Sequence, residues 1–265
     1  MPAQGHIARS FDGVPIHYDV QGSGKIALVF VHGWCCSRGH WAGQVDHFAP
    51  HHTLVTIDLA GHGASGRDRS RWSMSSFGRD VAAVLAQLGL AQVVLIGHSM
   101  GGMVIVEAAR RLPAAVIGLV GVDTWRNVAQ IRTPDQIAQM VTPLRVNFKE
   151  AAGDFVRARF VATSDPALVE RVVAAMSGAP PDIAVAAAQA ICEYDRHLAA
   201  GLKEVTVPKI AINGRPTNLA AAQRLGIAVM QMSGVGHFVM MEDAPAFNRL
   251  LDEALHKLIH AAARQ

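Results

Sequence analysis

A serine flanked by glycines, Gly97-His98-Ser99-Met100-Gly101, stands between an apolar, β-rich run (Val93, Val94, Leu95, Ile96) and a helical pattern (Met103, Val104, Val106, Ala108, Ala109). As a string alone it would also fit an ordinary glycine-serine loop. Between a strand and a helix, Gly-x-Ser-x-Gly reads as a nucleophile elbow. The turn is so sharp that only small flanking residues let neighbouring backbone pass, and the serine Oγ is left exposed above the sheet. The chemistry on offer is covalent catalysis. A serine hydroxyl is a poor nucleophile near neutral pH, so Ser99 needs an adjacent base. An oxyanion forming at an attacked carbonyl needs two preorganised N–H donors. Metal chemistry finds no matching pattern, because no Cys/His cluster has zinc-ligand spacing, and three cysteines, two of them adjacent (Cys35, Cys36), make no disulfide framework. The expectation is therefore an enzyme with no cofactor and no metal.

The elements that must position this serine follow from the apolar runs. Residues from about Ile7 to Val20 read as two short strands around Asp12-Gly13, a hairpin signal. Ile26 to Val31 and Leu54 to Ile57 are continuous apolar runs suited to strands buried on both faces. A helix capped by Ser75 or Ser76 is expected through Leu88, with Phe77, Val81, Val84, Leu85 and Leu88 on one face. The helix after the elbow runs to about Leu112, before Pro113. Val116 to Val122, Lys209 to Ile212 and Ala228 to Met232 are further strands, and Pro245 to about Ala262 is a closing helix. Strands alternating with helices imply a mostly parallel sheet with helices on both faces, an α/β class.

Between about Thr124 and Val205 the alternation stops. Helical patterns replace it: Pro134 to Val141, Lys149 to Val161, Pro166 to Met176 and Pro181 to Leu202. The expected organisation is an α/β core of residues 1–123 and 206–265 with an all-helical cap, 124–205, inserted over the strand ends. At 265 residues the chain is long for one domain and short for two, which suits one large domain with an insertion. A hydrophobic fraction of 51% against 17% charged residues supplies ample core. No uncharged apolar run approaches the ~20 residues of a membrane helix, and Met1 to Ser10 carries no apolar leader, so a cytoplasmic protein without a membrane span is expected. The formal charge of +3 is scattered, and Arg67, Arg69 and Arg71 read as a solvated loop, which argues against a nucleic-acid partner. The loop histidines His47, His51 and His52 read as solvated rings. Assembly as a homodimer stays open.

Beside the elbow stand His32-Gly33-Trp34 after the first buried strand, Asp58-Leu59-Ala60-Gly61-His62-Gly63-Ala64-Ser65 after the second, and Gly234-Val235-Gly236-His237-Phe238 after the last. With these four ordered motifs the chain resembles an α/β-hydrolase fold enzyme over nearly its whole length apart from the helical insertion. The resemblance implies a Ser-His-acid triad with Ser99 as nucleophile. His237, in a glycine-rich loop before the last helix, is the natural base. It also implies that the backbone N–H groups of Trp34 and Met100 form the oxyanion hole, with the Trp34 side chain lining the acyl pocket. Asp58, Gly61 and Gly63 read as a structural turn that braces the elbow loop, and His32 and His98 as structural neighbours of the site.

The acid departs from the commonest pattern. Many relatives carry it in a Gly-x-x-Asp context after the strand that follows the cap, where this chain reads Asn213-Gly214-Arg215-Pro216-Thr217-Asn218, and no Asp or Glu occurs between Glu204 and Glu242. Some relatives place it after the preceding strand, where this chain has Asp123. Asp123 is therefore the expected acid, needed to hold the imidazole tautomer and stabilise the imidazolium. Glu242 and Asp243 come too soon after His237 and read as caps of the last helix, while Glu193 and Asp195 are remote alternatives. A serine at the elbow argues against relatives that displace halide or open epoxides through an aspartate ester. The leading expectation is a serine esterase acting on a small-molecule carboxylic ester, with Trp34, Met140, Leu144, Phe148, Phe160 and Phe238 as candidate pocket residues. Phe155 and Met176 share their helical spacing. The alternatives are a carbon–carbon bond hydrolase, a cofactor-free lyase, oxygenase or perhydrolase, and a ligand sensor with slow turnover.

Overall fold

The computed structural model describes residues 4–264. Strand β1 (Gln4–Arg9) and β2 (Pro15–Gln21) form an antiparallel hairpin, and Gly13 at the turn takes a φ of 84°. The remaining strands are β3 (Ala27–Val31), β4 (Thr53–Ile57), β5 (Val93–His98), β6 (Val116–Val122), β7 (Lys209–Asn213) and β8 (Ile227–Gln231). They join one eight-stranded sheet in the order β1-β2-β4-β3-β5-β6-β7-β8. The pairs from β4 to β8 are all parallel, and β2 meets β4 antiparallel. Every residue of β3 and of β5 is buried, as their unbroken apolar runs require of strands covered on both faces.

The strand order reverses at β3. The chain passes from β3 through α1 (Ala42–Phe48) to β4 on one side, then through α2 (Met74–Leu88) back across to β5 on the other. Right-handed crossovers in opposite directions put α1 and α2 on opposite faces. Accordingly α2 packs on α3 (Met100–Ala109), and α1 packs on the closing helix α10 (Ala244–Ala262). Such a switch point leaves a crevice beyond the carboxyl ends of the two strands that flank it. The residues after β3 and after β5 meet there, because the register pairs Val31 with Gly97. Continuing the register, His98 lies beside Val122 and Val122 beside Ile212, so Ser99, Asp123 and Asn213 come to one edge.

Four helices enter between β6 and β7: α4 (Pro134–Val146), α5 (Phe148–Arg157), α6 (Pro166–Ser177) and α7 (Pro181–Glu204). α5 pairs with α6, α4 with α7, and α7 rests on α3. Two short α-helices, α8 (Leu219–Arg224) and α9 (Val239–Glu242), flank β8 in sequence. Among the described residues no helix is long and apolar enough to cross a membrane.

Several local expectations need correction. Helix α2 starts at Met74, because Ser73 is extended and its hydroxyl accepts from Ser76 N while Ser76 Oγ accepts from Ser73 N, a reciprocal cap two or three residues earlier than expected. Helix α3 ends at Ala109, and the residues up to Leu112 form a tighter turn. Helix α4 runs past Val141 to Val146 despite Pro143 inside it, so the proline does not end it. His47 lies in α1 and meets Asp252 at 2.9 Å. Arg69 is no solvated side chain: its guanidinium, 2% exposed, bridges Asp80 and Asp12 and ties the first hairpin to α2.

Candidate active site

Ser99 sits between β5 and α3 with φ 52° and ψ −113°, a left-handed conformation that a non-glycine residue holds only where its surroundings force it. The forcing is visible in the glycines beside it. A Cβ on Gly97 would lie 2.3 Å from Gly101 O, and one on Gly101 would lie 2.4 Å from Val31 O, so backbone passes backbone at the elbow. Thr124 and Trp125 clamp the same turn: Thr124 Oγ1 donates to Ser99 O at 3.0 Å and Trp125 Nε1 donates to Gly102 O at 3.1 Å. Met100 opens α3, so its N–H belongs to the first turn, whose donors have no partner within the helix and carry the positive end of the helix dipole.

His237 Nδ1 donates to Asp123 Oδ2 at 2.5 Å. The Asp123 side chain is fully buried, and its other oxygen accepts from Gly214 N (3.1 Å) and Arg215 N (3.2 Å). Those two amides belong to the segment where the commoner acid is missing. That loop therefore binds a carboxylate supplied by β6. Asp123 itself takes a φ of 41° as the chain leaves β6. Burial pushes the His237 pKa below the ordinary histidine value; the Asp123 carboxylate opposes this, and the Arg159 and Arg215 cations add to it. Neutral His237 is thus the resting form near neutral pH, the form able to take a proton.

His237 is held from behind as well. His237 N donates to Arg159 O at 2.8 Å, and His237 O accepts from His98 Nε2 at 3.0 Å. The His98 ring is buried, its Nδ1 has no partner among the described residues, and its pKa is driven well below the histidine range by burial and by His237. Glu242 is no helix cap. Its carboxylate accepts from Gly236 N (2.9 Å), Phe238 N (3.0 Å) and Ser164 Oγ (2.7 Å), the first two flanking His237. Asp243 alone caps α10, through Ala246 N. Glu193 accepts from Gln189, and Asp195 pairs with Arg132, so neither reaches His237.

Trp34 Nε1 donates to Ala184 O at 2.8 Å, and its ring meets Phe155 edge-on with centroids 5.4 Å apart. Cys35, next to it, takes φ 53°. Behind the loop, His32 bridges Gly33 O and Leu59 N, and Asp58 accepts from Arg38 N and Ala64 N, which fixes the turn at Gly63. A cavity of about 1460 Å³ opens over Ser99 and His237. Trp34, Met140, Leu144 and Phe238 line it, as do Phe155 and Met176. Phe148 and Phe160 do not line it: Phe148 is buried against Trp34, and Phe160 stacks on Phe238 at 4.9 Å, so each backs a lining ring. Arg126, Arg159 and Arg215 also line the cavity and had not been singled out from the sequence. The one available signal was Arg215, a cation where the commoner acid would stand.

A sequence model of the alpha/beta hydrolase fold matches residues 26–174. A pimeloyl-[acyl-carrier protein] methyl ester esterase of Yersinia enterocolitica is 24% identical over 257 residues, covering 89% of this chain and 95% of that protein. The dihydrolipoyllysine-residue acetyltransferase component of the acetoin cleaving system of Cupriavidus necator is 30% identical over 108 residues, 41% of this chain and 29% of that protein. Thus the chain spans under a third of the latter's length. Among solved structures, Est816, described as an N-acyl homoserine lactone degrading enzyme, superimposes with a TM-score of 0.81 at 25% identity, covering 94% of this chain and 99% of that one.

Proposed function

The chain belongs to the α/β-hydrolase fold family, and we propose that it is a serine hydrolase that cleaves carboxylic esters through an acyl-enzyme, with Ser99 as nucleophile, His237 as general base and Asp123 as the acid. One observation carries this reading. His237, bonded to the buried Asp123 at 2.5 Å, opens onto the same cavity as a serine held in a strained elbow. Ser99 Oγ attacks the ester carbonyl as His237 Nε2 takes its proton. The tetrahedral oxyanion is stabilised by the backbone N–H groups of Met100 and Trp34, two residues that line the cavity. His237 then protonates the departing alkoxide, leaving an acyl ester on Ser99. Water, activated by the same imidazole, attacks that ester and frees the acid. Asp123 keeps the proton on Nδ1, so Nε2 faces the serine, and it stabilises the imidazolium in each transition state. The insertion supplies an apolar wall, with buried Leu144 and exposed Met140 both lining the cavity, and acts as a cap over the site.

Ester hydrolysis agrees with the similar Yersinia protein, a methyl ester esterase. The similar Est816 degrades lactones, which are cyclic esters that the same steps would open. The test is a fluorophosphonate probe together with a p-nitrophenyl ester. One label on the Ser99 peptide, parallel loss of turnover, and an acid limb of kcat/KM below about pH 6.5 are expected. Full activity in Ser99→Ala, or a profile flat to about pH 4, would remove the serine or the histidine from these roles.

A further inference from the structure

The steps above make no use of the arginines in the cavity. Arg126, Arg159 and Arg215 come from three separate segments, and two of them, Arg159 and Arg215, are tied by their backbone to His237 and Asp123. Arg126 O accepts from Asn218 N at 2.8 Å beyond the acid's loop, Arg159 O accepts from His237 N at 2.8 Å, and Arg215 N donates to Asp123 Oδ1 at 3.2 Å. All three residues line the cavity with Ser99 and His237, and each is partly buried.

Counter-charge for them is short. Arg126 Nε lies 3.8 Å from Asp123 Oδ2, but that oxygen already holds His237 and its partner oxygen holds two amides. The Arg159 guanidinium stacks 3.5 Å from the centre of the Phe155 ring and, among the described residues, donates only to Phe155 O. Arg215 makes no ion pair among the described residues. A fourth arginine, Arg132, is matched by Asp195. Glu150 and Asp154 border the cavity too, yet both are exposed, and Glu150 accepts from Asn147. The crowding is reflected in Arg159, which burial and the fields of Arg215 and Arg126 pull down to about 10. Part-buried cations without a partner are unfavourable. A guanidinium presents a planar fork of donors that fits a carboxylate or phosphate, so an anion entering here would relieve the repulsion and gain charge-assisted hydrogen bonds.

We infer that the preferred substrate is an ester bearing a compact oxyanion, a carboxylate or a phosphate monoester, which Arg126, Arg159 and Arg215 hold on the acid–base side of the cavity while the ester group reaches Ser99. This rests on the serine hydrolase reading and narrows it to a substrate class.

The test compares p-nitrophenyl pentanoate with mono-p-nitrophenyl glutarate, in which a carboxylate replaces the terminal methyl group. The anionic ester is expected to be favoured in kcat/KM by about tenfold or more, mostly through KM. The preference should shrink as salt rises from ~50 to ~500 mM. Arg159→Gln and Arg215→Gln keep the backbone bonds to His237 and Asp123 and should bring the ratio of the two esters toward one, whereas Arg159→Lys, which keeps the charge but loses the planar fork and the stacking on Phe155, should retain only part of it. Inhibition by hexanoate against pentyl phosphate decides which oxyanion the site prefers. Turnover of both esters at equal kcat/KM, unaffected by salt, overturns this inference and leaves the esterase intact. Turnover of neither removes the esterase reading. In that case calorimetric binding of the two esters to Ser99→Ala still decides the anion site, which equal affinities would sink.

Discussion

Asp123 stands where β6 ends, and its two oxygens have divided duties. Oδ2 takes the His237 proton donor at 2.5 Å, while Oδ1 is fixed by the amides of Gly214 and Arg215. Replacement by asparagine keeps the size but brings an NH₂ against one of these donors. If the amide oxygen stays on the two backbone amides, its NH₂ faces His237 and favours the wrong tautomer. If it flips, the backbone amides lose their acceptor. In either case the charge that stabilises the imidazolium is gone. Asp123→Asn is expected to lower kcat by on the order of 10⁴, with a far smaller change in KM. Asp195→Asn, which alters only the pairing with Arg132, is expected to leave kcat within about threefold, a change worth under ~1 kcal/mol. Steady-state kinetics with a p-nitrophenyl ester, alongside circular dichroism to verify folding, checks both. A loss under about threefold in Asp123→Asn would exclude it as the acid.

At the scale of elements, the loop from β8 through α9 must hold the imidazole still, and it does so largely through Glu242. Three donors converge on that carboxylate, two from residues on either side of the base and one from Ser164 in the helical insertion. Glu242→Gln substitutes a donor for one acceptor and removes the charge. We expect kcat to fall about tenfold or more through misplacement of the base, and stability to drop by on the order of 1–3 kcal/mol. A thermal melt and the kcat-against-KM split check this. Unchanged kcat would mean the loop is held without Glu242. Periodicity could not have revealed the bond, because a carboxylate just before Pro245 looks like any helix cap, and its partners are backbone amides that no side-chain pattern reports. The strands, the elbow and the pairing of acid with base were legible because each leaves a local mark: an unbroken apolar run, a glycine on either side of a serine, an aspartate closing a strand. Phe148 and Phe160 went the other way. Their helical spacing places them on an inward face, but whether such a ring touches the cavity or backs another ring depends on tertiary packing that spacing does not encode. Arg69 was misread for the same reason, since its partners Asp12 and Asp80 are distant in sequence.

Across the whole molecule, the reversal of strand order at β3 gathers histidines as well as the reactive groups. His32 leaves β3, His62 follows β4, His98 ends β5, and His237 follows β8, all with buried or nearly buried rings. Burial pushes the pKa of each below the ordinary value, and furthest for His32 and His98. The unfolded chain titrates these rings near 6.5, whereas the folded chain keeps them neutral to lower pH. Below that point the unfolded state binds more protons, so the stability they contribute is present above about pH 6.5 and is lost as pH falls toward the folded pKa values. Each ring contributes a slope of up to about 1.4 kcal/mol per pH unit in that window. His32 illustrates the cost of charging one: its Nε2 accepts from Leu59 N and its Nδ1 donates to Gly33 O, so a second ring proton would face an N–H. Urea unfolding should therefore show a midpoint at pH 5.5 well below that at pH 7.5, with a stability difference on the order of several kcal/mol and net proton uptake on unfolding. Equal midpoints at the two pH values, with no proton uptake, would show that these rings are not held neutral by the fold.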